Sequence, residues 1–171
     1  QGVYEINAYN ADAYSDDWFI SQALDLDAYE NEVLSFDTWT MYTDNGITNP
    51  ELKLKYSSDY SGSPGSATWF ELNYTHAPEN SETWTSSGNI DLTSILGSAV
   101  YIAFHYTSSG TAGSTSTYWK LDNIYLTADN IVSVFDRELN TIIAPNPAAD
   151  FIELQSDPRI IHDVTIYDMS G

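Results

Sequence analysis

Residues 100–106 read Val100-Tyr101-Ile102-Ala103-Phe104-His105-Tyr106, with a large apolar or aromatic side chain on every second position. A period of two predicts a β-strand with one buried face. Residues 51–56 (Glu-Leu-Lys-Leu-Lys-Tyr) alternate more cleanly still, with leucine and tyrosine on one face and two lysines on the other. Both segments therefore predict half-buried strands of an antiparallel sheet.

Further aromatic and threonine-rich runs extend this pattern along the chain, at residues 33–42, 68–75 and 118–127. Clusters of Gly, Ser, Pro, Asp and Asn separate them and predict turns, at residues 44–46, 61–65 and 108–116. Many strands joined by polar turns are typical of an all-β antiparallel sandwich. After Leu126 the pattern weakens, which predicts a connector before a second, smaller element.

The composition restricts the class of partner. The chain has 171 residues, 25 Asp and Glu against 5 Lys and Arg, and a formal net charge of -20. Such a charge repels the phosphate backbone of nucleic acids and anionic membrane surfaces. There is no Cys, so neither disulfides nor thiolate metal sites are available. No segment is apolar over the length needed for membrane insertion. No signal peptide is recognisable, and we expect one to have been removed before Gln1.

The C-terminal segment begins with Pro145-Asn146-Pro147-Ala148-Ala149-Asp150 and ends with Ile166-Tyr167-Asp168-Met169-Ser170-Gly171. The two prolines forbid a helix, and alternating residues after each motif predict two strands. The pair of motifs resembles the start of the type A C-terminal sorting domain of the type IX secretion system of Bacteroidota. The resemblance implies export across the outer membrane, a secreted or cell-surface location, and contact with the secretion translocon and its outer-membrane shuttle protein. The sorting residues are Pro145, Asn146, Pro147, Ala148, Asp150, Tyr167, Asp168 and Gly171.

Five segments of the main part, residues 16–26, 33–37, 84–92, 100–106 and 118–124, occur in the order found in another family. They resemble choice-of-anchor J and cleaved-adhesin domains, which are jelly rolls related to MAM domains. Gln22 departs from that pattern, which usually has proline there. The expected organisation is an adhesin-like jelly roll at 1–128, a linker at 129–141, and at 142–171 the first strands of a small Ig-like β-sandwich sorting domain.

The resemblance also implies a structural calcium ion. Asp122 lies between apolar residues of the last predicted strand, where a carboxylate needs a partner, and the chain has few cations to supply one. Ca²⁺ accepts six to eight oxygen ligands in irregular geometry. The expected ligands are Asp122, Asp17, Asp16, Glu5 and Asn7.

Aromatic side chains provide the alternative basis for function, because sugar rings stack on exposed Trp and Tyr. Trp69 alternates with Glu71 and Asn73, which predicts an outward position. Trp39 and Trp119 are the other predicted ligand-binding residues. Most aromatic residues of a sandwich pack in its core, so each assignment competes with a purely structural role.

No pattern for catalysis is recognisable: the three histidines lie far apart, and there is no nucleophile elbow or phosphate-binding loop. The sequence therefore predicts a non-catalytic surface protein that binds a polysaccharide or another surface component. Two alternatives remain. One is a gliding-motility adhesin, and the other is an accessory module of a larger secreted protease, nuclease or glycoside hydrolase.

Overall fold

The computed structural model describes residues 3–45 and 51–130, together with two short strands near the C-terminus. The chain divides into two compact units, Gln1–Ile131 and Val132–Gly171. Among the described residues there is no α-helix, and the one helical turn is a 3-10 turn at Pro64–Ser66. None of them forms a helix with the length and apolar character that crossing a membrane requires.

The described residues of the first unit form nine strands. In chain order they are β1 (Tyr4–Ile6), β2 (Asp16–Ile20), β3 (Tyr29–Met41), β4 (Leu52–Ser57), β5 (Phe70–Leu72), β6 (Thr85–Ser86), β7 (Ile90–Asp91), β8 (Tyr101–Thr107) and β9 (Tyr118–Asn130). They form two antiparallel sheets. Sheet A has the order β1-β9-β3-β6, with β7 also paired to β3, and sheet B has the order β2-β8-β4-β5. The predicted all-β antiparallel sandwich is confirmed.

Sheet A is built on the two longest strands, β3 and β9. Their register begins at Met41 opposite Tyr118 and ends at Tyr29 opposite Asn130. A bulge interrupts it next to Asn123, whose φ of 51° lies in the left-handed region. The first sheet therefore continues to Asn130, two residues beyond the predicted end of the main domain.

The core lies between the two sheets because the inward faces of the strands carry the large apolar residues. In sheet B, Leu52, Leu54 and Phe104 are buried, as the alternation predicts. Sheet A contributes Leu34, Phe36 and Leu121 from β3 and β9. The rings of Phe36 and Phe104 form a T-shaped pair with a centroid distance of 4.9 Å, so aromatic side chains from the two sheets are in contact.

In the second unit the structure describes a two-stranded antiparallel ladder of β10 (Ile142–Ala144) and β11 (Glu153–Gln155). The register places Ile143 opposite Leu154. The eight predicted sorting residues lie outside the described residues: Pro145, Asn146, Pro147, Ala148, Asp150, Tyr167, Asp168 and Gly171.

Candidate functional site

Three tyrosines from separate segments meet at one end of sheet A. Tyr9 follows β1, Tyr42 follows β3 and Tyr118 begins β9. Together with Asn7, Gly113 and Ser116 they line a cleft of about 470 Å³. That volume is typical of pockets for small ligands. We call these six residues the tyrosine cleft.

Local hydrogen bonds hold the loops of the cleft in place. The Asn7 side chain accepts a hydrogen bond from the Tyr9 backbone N–H at 3.0 Å, which fixes the turn after β1. The Asn45 N–H donates to the Ser114 carbonyl at 3.2 Å, which joins the loop after β3 to the loop before β9. The Ser116 hydroxyl donates to the Ala112 carbonyl at 2.8 Å. These loops are therefore ordered before any ligand binds.

Two tyrosines of the cleft are exposed to solvent. Tyr9 is 59% exposed and Tyr42 is 54% exposed. Tyr42 also has a φ of 60°, in the left-handed region that costs a non-glycine residue about 1 kcal/mol. Backbone strain of this kind persists where surrounding structure imposes it, and it is concentrated at functional sites.

A polar rim adjoins the cleft on the outer face of sheet A. Lys120 lies 4.7 Å from the centroid of Trp39 and 5.1 Å from that of Tyr118, and its Nζ is 3.2 Å from a Glu5 carboxylate oxygen. Tyr118 packs edge-on to Trp39 at 5.6 Å. Hydrogen bonds from Tyr118 and then from Lys120 lower the pKa of Glu5. Burial, followed by the hydrogen bond to Glu5, raises the pKa of the Tyr118 phenol, which therefore stays protonated as a donor.

A second aromatic cluster covers the outer face of sheet B. Trp18 stacks on His105 at a centroid distance of 3.8 Å and contacts Trp69 at 4.9 Å. Tyr60 joins Trp69 to Tyr101, at 5.7 Å and 4.9 Å. We call these five residues the tryptophan stack. The Trp69 indole N–H donates to the Pro64 carbonyl at 3.0 Å, so the ring and its polar atom both have partners.

The imidazole of His105 is held between a cation and an anion. Its Nδ1 lies 2.9 Å from the Lys55 ammonium, which donates, and its Nε2 lies 2.6 Å from an Asp16 carboxylate oxygen. A neutral ring with its proton on Nε2 satisfies both contacts. Burial lowers the pKa of His105 and Lys55 lowers it further, although the hydrogen bond to Asp16 opposes both. Burial also lowers the pKa of Lys55.

The five predicted calcium ligands are distributed over both sheets. Glu5 pairs with Lys120 and Asp16 pairs with His105. Asp17 lies opposite Tyr106 on β2, and Asp122 lies opposite Asp37 on sheet A. Within the described residues, no group of three or more Asp, Glu or His side chains is arranged to hold a metal ion. The structural calcium ion remains a prediction without a site among these residues.

The three predicted ligand-binding tryptophans have different environments. Trp39 is half-buried beside the tyrosine cleft, and Trp69 is on the predicted outer face but belongs to the tryptophan stack. The prediction that Trp119 binds a ligand is corrected, because this residue is buried. It is 1% exposed, and its indole N–H donates to the buried carboxylate of Glu51 at 3.3 Å. A side chain this deeply buried packs in the core and cannot contact a ligand.

The three tyrosines of the cleft, Tyr9, Tyr42 and Tyr118, are not among the three ligand-binding residues predicted from the sequence. The loops that carry them are remote in sequence, and the pairing of Met41 with Tyr118 brings β3 and β9 together at this end. The signal in the sequence was weak: Tyr42 and Tyr118 are terminal residues of two predicted strands, and no strand is predicted next to Tyr9.

Comparison with known protein families gives one match. A family model described as Domain of unknown function (DUF5017) aligns with residues 8–138. The chain belongs to this family. The matched range includes Tyr9, Tyr42 and Tyr118, and it begins after Glu5 and Asn7. No curated protein gives a significant match.

Proposed function

We propose that this protein is a secreted, cell-surface binding module that holds a neutral polysaccharide in the tyrosine cleft. The observation that carries the proposal is the pair of solvent-exposed tyrosines, Tyr9 and Tyr42, that line a cleft of about 470 Å³. Aromatic faces stack on the apolar faces of sugar rings, and they do so at low entropic cost because a tyrosine has few rotatable bonds.

The polar groups around the cleft suit sugar hydroxyls. Asn7 and Ser116 line it, and the Lys120–Glu5 pair supplies a donor and an acceptor beside Tyr118. The net charge of -20 disfavours anionic glycans, because an acidic polymer would be repelled over the whole surface. Uncharged polysaccharides are therefore the proposed class of ligand.

Export by the type IX secretion system belongs to the same proposal. It rests on the Pro145-Asn146-Pro147 and Ile166-Tyr167-Asp168 motifs, which resemble the start of a type A sorting domain. An exported module of this kind would meet polysaccharides outside the cell. The proposed partners are the translocon and the shuttle protein for export, and the glycan for function.

Affinity electrophoresis in gels that contain one neutral polysaccharide each tests the binding. We expect the wild type to be retarded by at least one polysaccharide. Tyr9→Ala should weaken that binding about tenfold, which corresponds to about 1.4 kcal/mol. The matched control is Tyr125→Ala, because Tyr125 is also an exposed tyrosine on sheet A but lies outside the cleft.

Two results would contradict the proposal. One is the absence of retardation by every neutral polysaccharide in a broad panel. The other is a Tyr9→Ala variant that binds as tightly as the wild type.

A further inference from the structure

An apolar groove opens between the edges of the two sheets, away from the tyrosine cleft. It has a volume of about 410 Å³ and is lined chiefly by Tyr4, Phe19, Leu24, Ile102, Ile124 and Leu126. The rings of Tyr4 on β1 and Phe19 on β2 meet at 4.8 Å across the opening. We call this feature the edge groove.

The groove exposes several large apolar side chains together. Phe19 is 45% exposed and Leu126 is 41% exposed. Leu126 also lines an adjoining cavity of about 240 Å³ with Tyr29 and Ala128. Scattered exposed hydrophobic residues are ordinary, but a contiguous apolar channel marks a binding surface.

A strand edge runs beside the groove. β9 pairs with β3 from Tyr118 to Asn130, whereas β1 pairs with β9 only at Trp119, Lys120 and Leu121. Among the described residues, no strand pairs with the β1 side of β9 from Ile124 to Asn130. The backbone groups on that edge are therefore available for an added strand.

The inward side chains of this part of β9 face the groove. Leu126 lies opposite Leu34 of β3, on the core side of sheet A, and Ile124 shares that side. A strand laid against the edge would place every second side chain into the groove. Its hydrogen bonds and its apolar contacts would then form together, as in β-strand addition.

The charges beside this edge indicate which side chains an added strand would carry on its outward face. On the outer face of sheet A, Asp122 lies opposite Asp37, and Asp129 lies opposite Glu30. Opposite charges on adjacent strands stabilise pairing, so outward Lys or Arg side chains are favoured.

We propose that the edge groove binds an extended segment of a partner protein, in which apolar residues alternate with basic ones. The segment adds antiparallel to β9 from Ile124 to Asn130, in continuation of β1. Its apolar side chains occupy the groove beside Phe19 and Leu126, and its basic side chains face Asp122 and Asp129. This site is separate from the tyrosine cleft and does not depend on the proposed glycan.

A synthetic peptide of about seven residues, an ordinary strand length, tests the proposal. Valine and isoleucine alternate with lysine and arginine in the probe. One control peptide has the same composition with its apolar residues grouped together, and another has glutamate in place of the basic residues. Binding to the full chain is measured by calorimetry, and amide hydrogen exchange is measured with and without the probe.

We expect the alternating basic peptide to bind and the two control peptides to bind at least about tenfold more weakly. Backbone amides between Ile124 and Asn130 should become protected. Leu126→Gln removes an apolar contact at a partly exposed position and should weaken binding about tenfold. Leu96→Gln is the matched control, since Leu96 is 74% exposed and does not line the groove.

The proposal is overturned if the alternating peptide does not bind, or if Leu126→Gln and Leu96→Gln bind it equally. Equal binding of the glutamate peptide would overturn the charge selection. Sedimentation equilibrium tests whether a second copy of this chain occupies the groove instead. If the wild type is a dimer and Leu126→Gln dissociates it, the groove binds a second copy and the partner-strand proposal is wrong.

Discussion

On the outer face of sheet B, Trp18 lies flat against His105 at 3.8 Å, and Trp69 and Tyr60 continue the contact. On the outer face of sheet A, Trp39 and Tyr118 also meet, but Tyr9 and Tyr42 beside them leave their faces to solvent. The two clusters have similar residue types. In the tryptophan stack the rings pack on each other, whereas in the tyrosine cleft they enclose a space.

The difference shows that aromatic content alone does not identify a binding surface. Ring faces in mutual contact are already used for stability, and their polar atoms have partners, as the indole N–H of Trp69 does. Ring faces that remain open, on loops fixed by their own hydrogen bonds, can bind a ligand without reorganisation. The strained backbone at Tyr42 fits the second role, because strain is not retained for stability.

Removing Trp18 should have the largest effect on folding. Trp18→Ala deletes the contacts with His105 and Trp69 and the cation–π contact with Lys55 at 5.0 Å. We expect the free energy of unfolding to fall by about 2 to 3 kcal/mol, below the cost of a fully buried tryptophan. Trp39→Ala should cost less than about 1 kcal/mol, because Trp39 borders an open cleft. Urea unfolding followed by circular dichroism measures both. Equal losses would mean that the cleft, too, is structural packing.

Substitution of Tyr42 should separate binding from stability. Tyr42→Gly relieves the positive φ, so we expect the free energy of unfolding to rise by about 0.5 to 1 kcal/mol while glycan affinity falls about tenfold. Tyr42→Phe keeps both the ring and the strain, and it should leave stability unchanged. Thermal unfolding and affinity electrophoresis on the same samples measure the two effects. A glycine variant with undiminished affinity would exclude Tyr42 from the site.

The alternation of side chains was sufficient to predict the faces of the central strands. Leu52 and Leu54 point inward and Lys53 and Lys55 outward, because only one face of sheet B meets the core. Trp119 has the same parity as the buried Leu121, so the pattern contained its inward orientation. The prediction of a ligand-binding role gave more weight to residue type than to that parity.

The composition of the cleft could not be predicted in the same way. Tyr9 follows β1, Tyr42 follows β3 and Tyr118 begins β9, and the β3–β9 register that pairs Met41 with Tyr118 is a tertiary feature that the alternation does not specify. A shift of one position in that register would change which side chains meet. The exposure of a side chain on an edge strand also depends on tertiary structure and cannot be derived from the local alternation. Phe70 has the opposite parity to the outward Trp69, but it is 50% exposed because β5 is a short edge strand.

The smallest predicted effect is the dependence on pH of the stability that the tryptophan stack contributes. Burial holds the pKa of His105 below its usual value of 6.5, so the unfolded chain binds the proton more readily than the folded one. The contribution of the neutral ring to stability is therefore present above about pH 6.5 and is lost as the pH falls through the lower pKa of the folded state.

Urea unfolding of the wild type and of His105→Gln at a series of pH values measures this contribution as a difference. Subtraction cancels the titration of the many carboxylates, which both proteins share. We expect the difference to shrink on acidification, whereas the difference between the wild type and Trp39→Ala should be independent of pH. A difference for His105→Gln that grows at low pH would instead mean that the folded state prefers an imidazolium held by Asp16. The stack would then owe part of its stability to an ion pair.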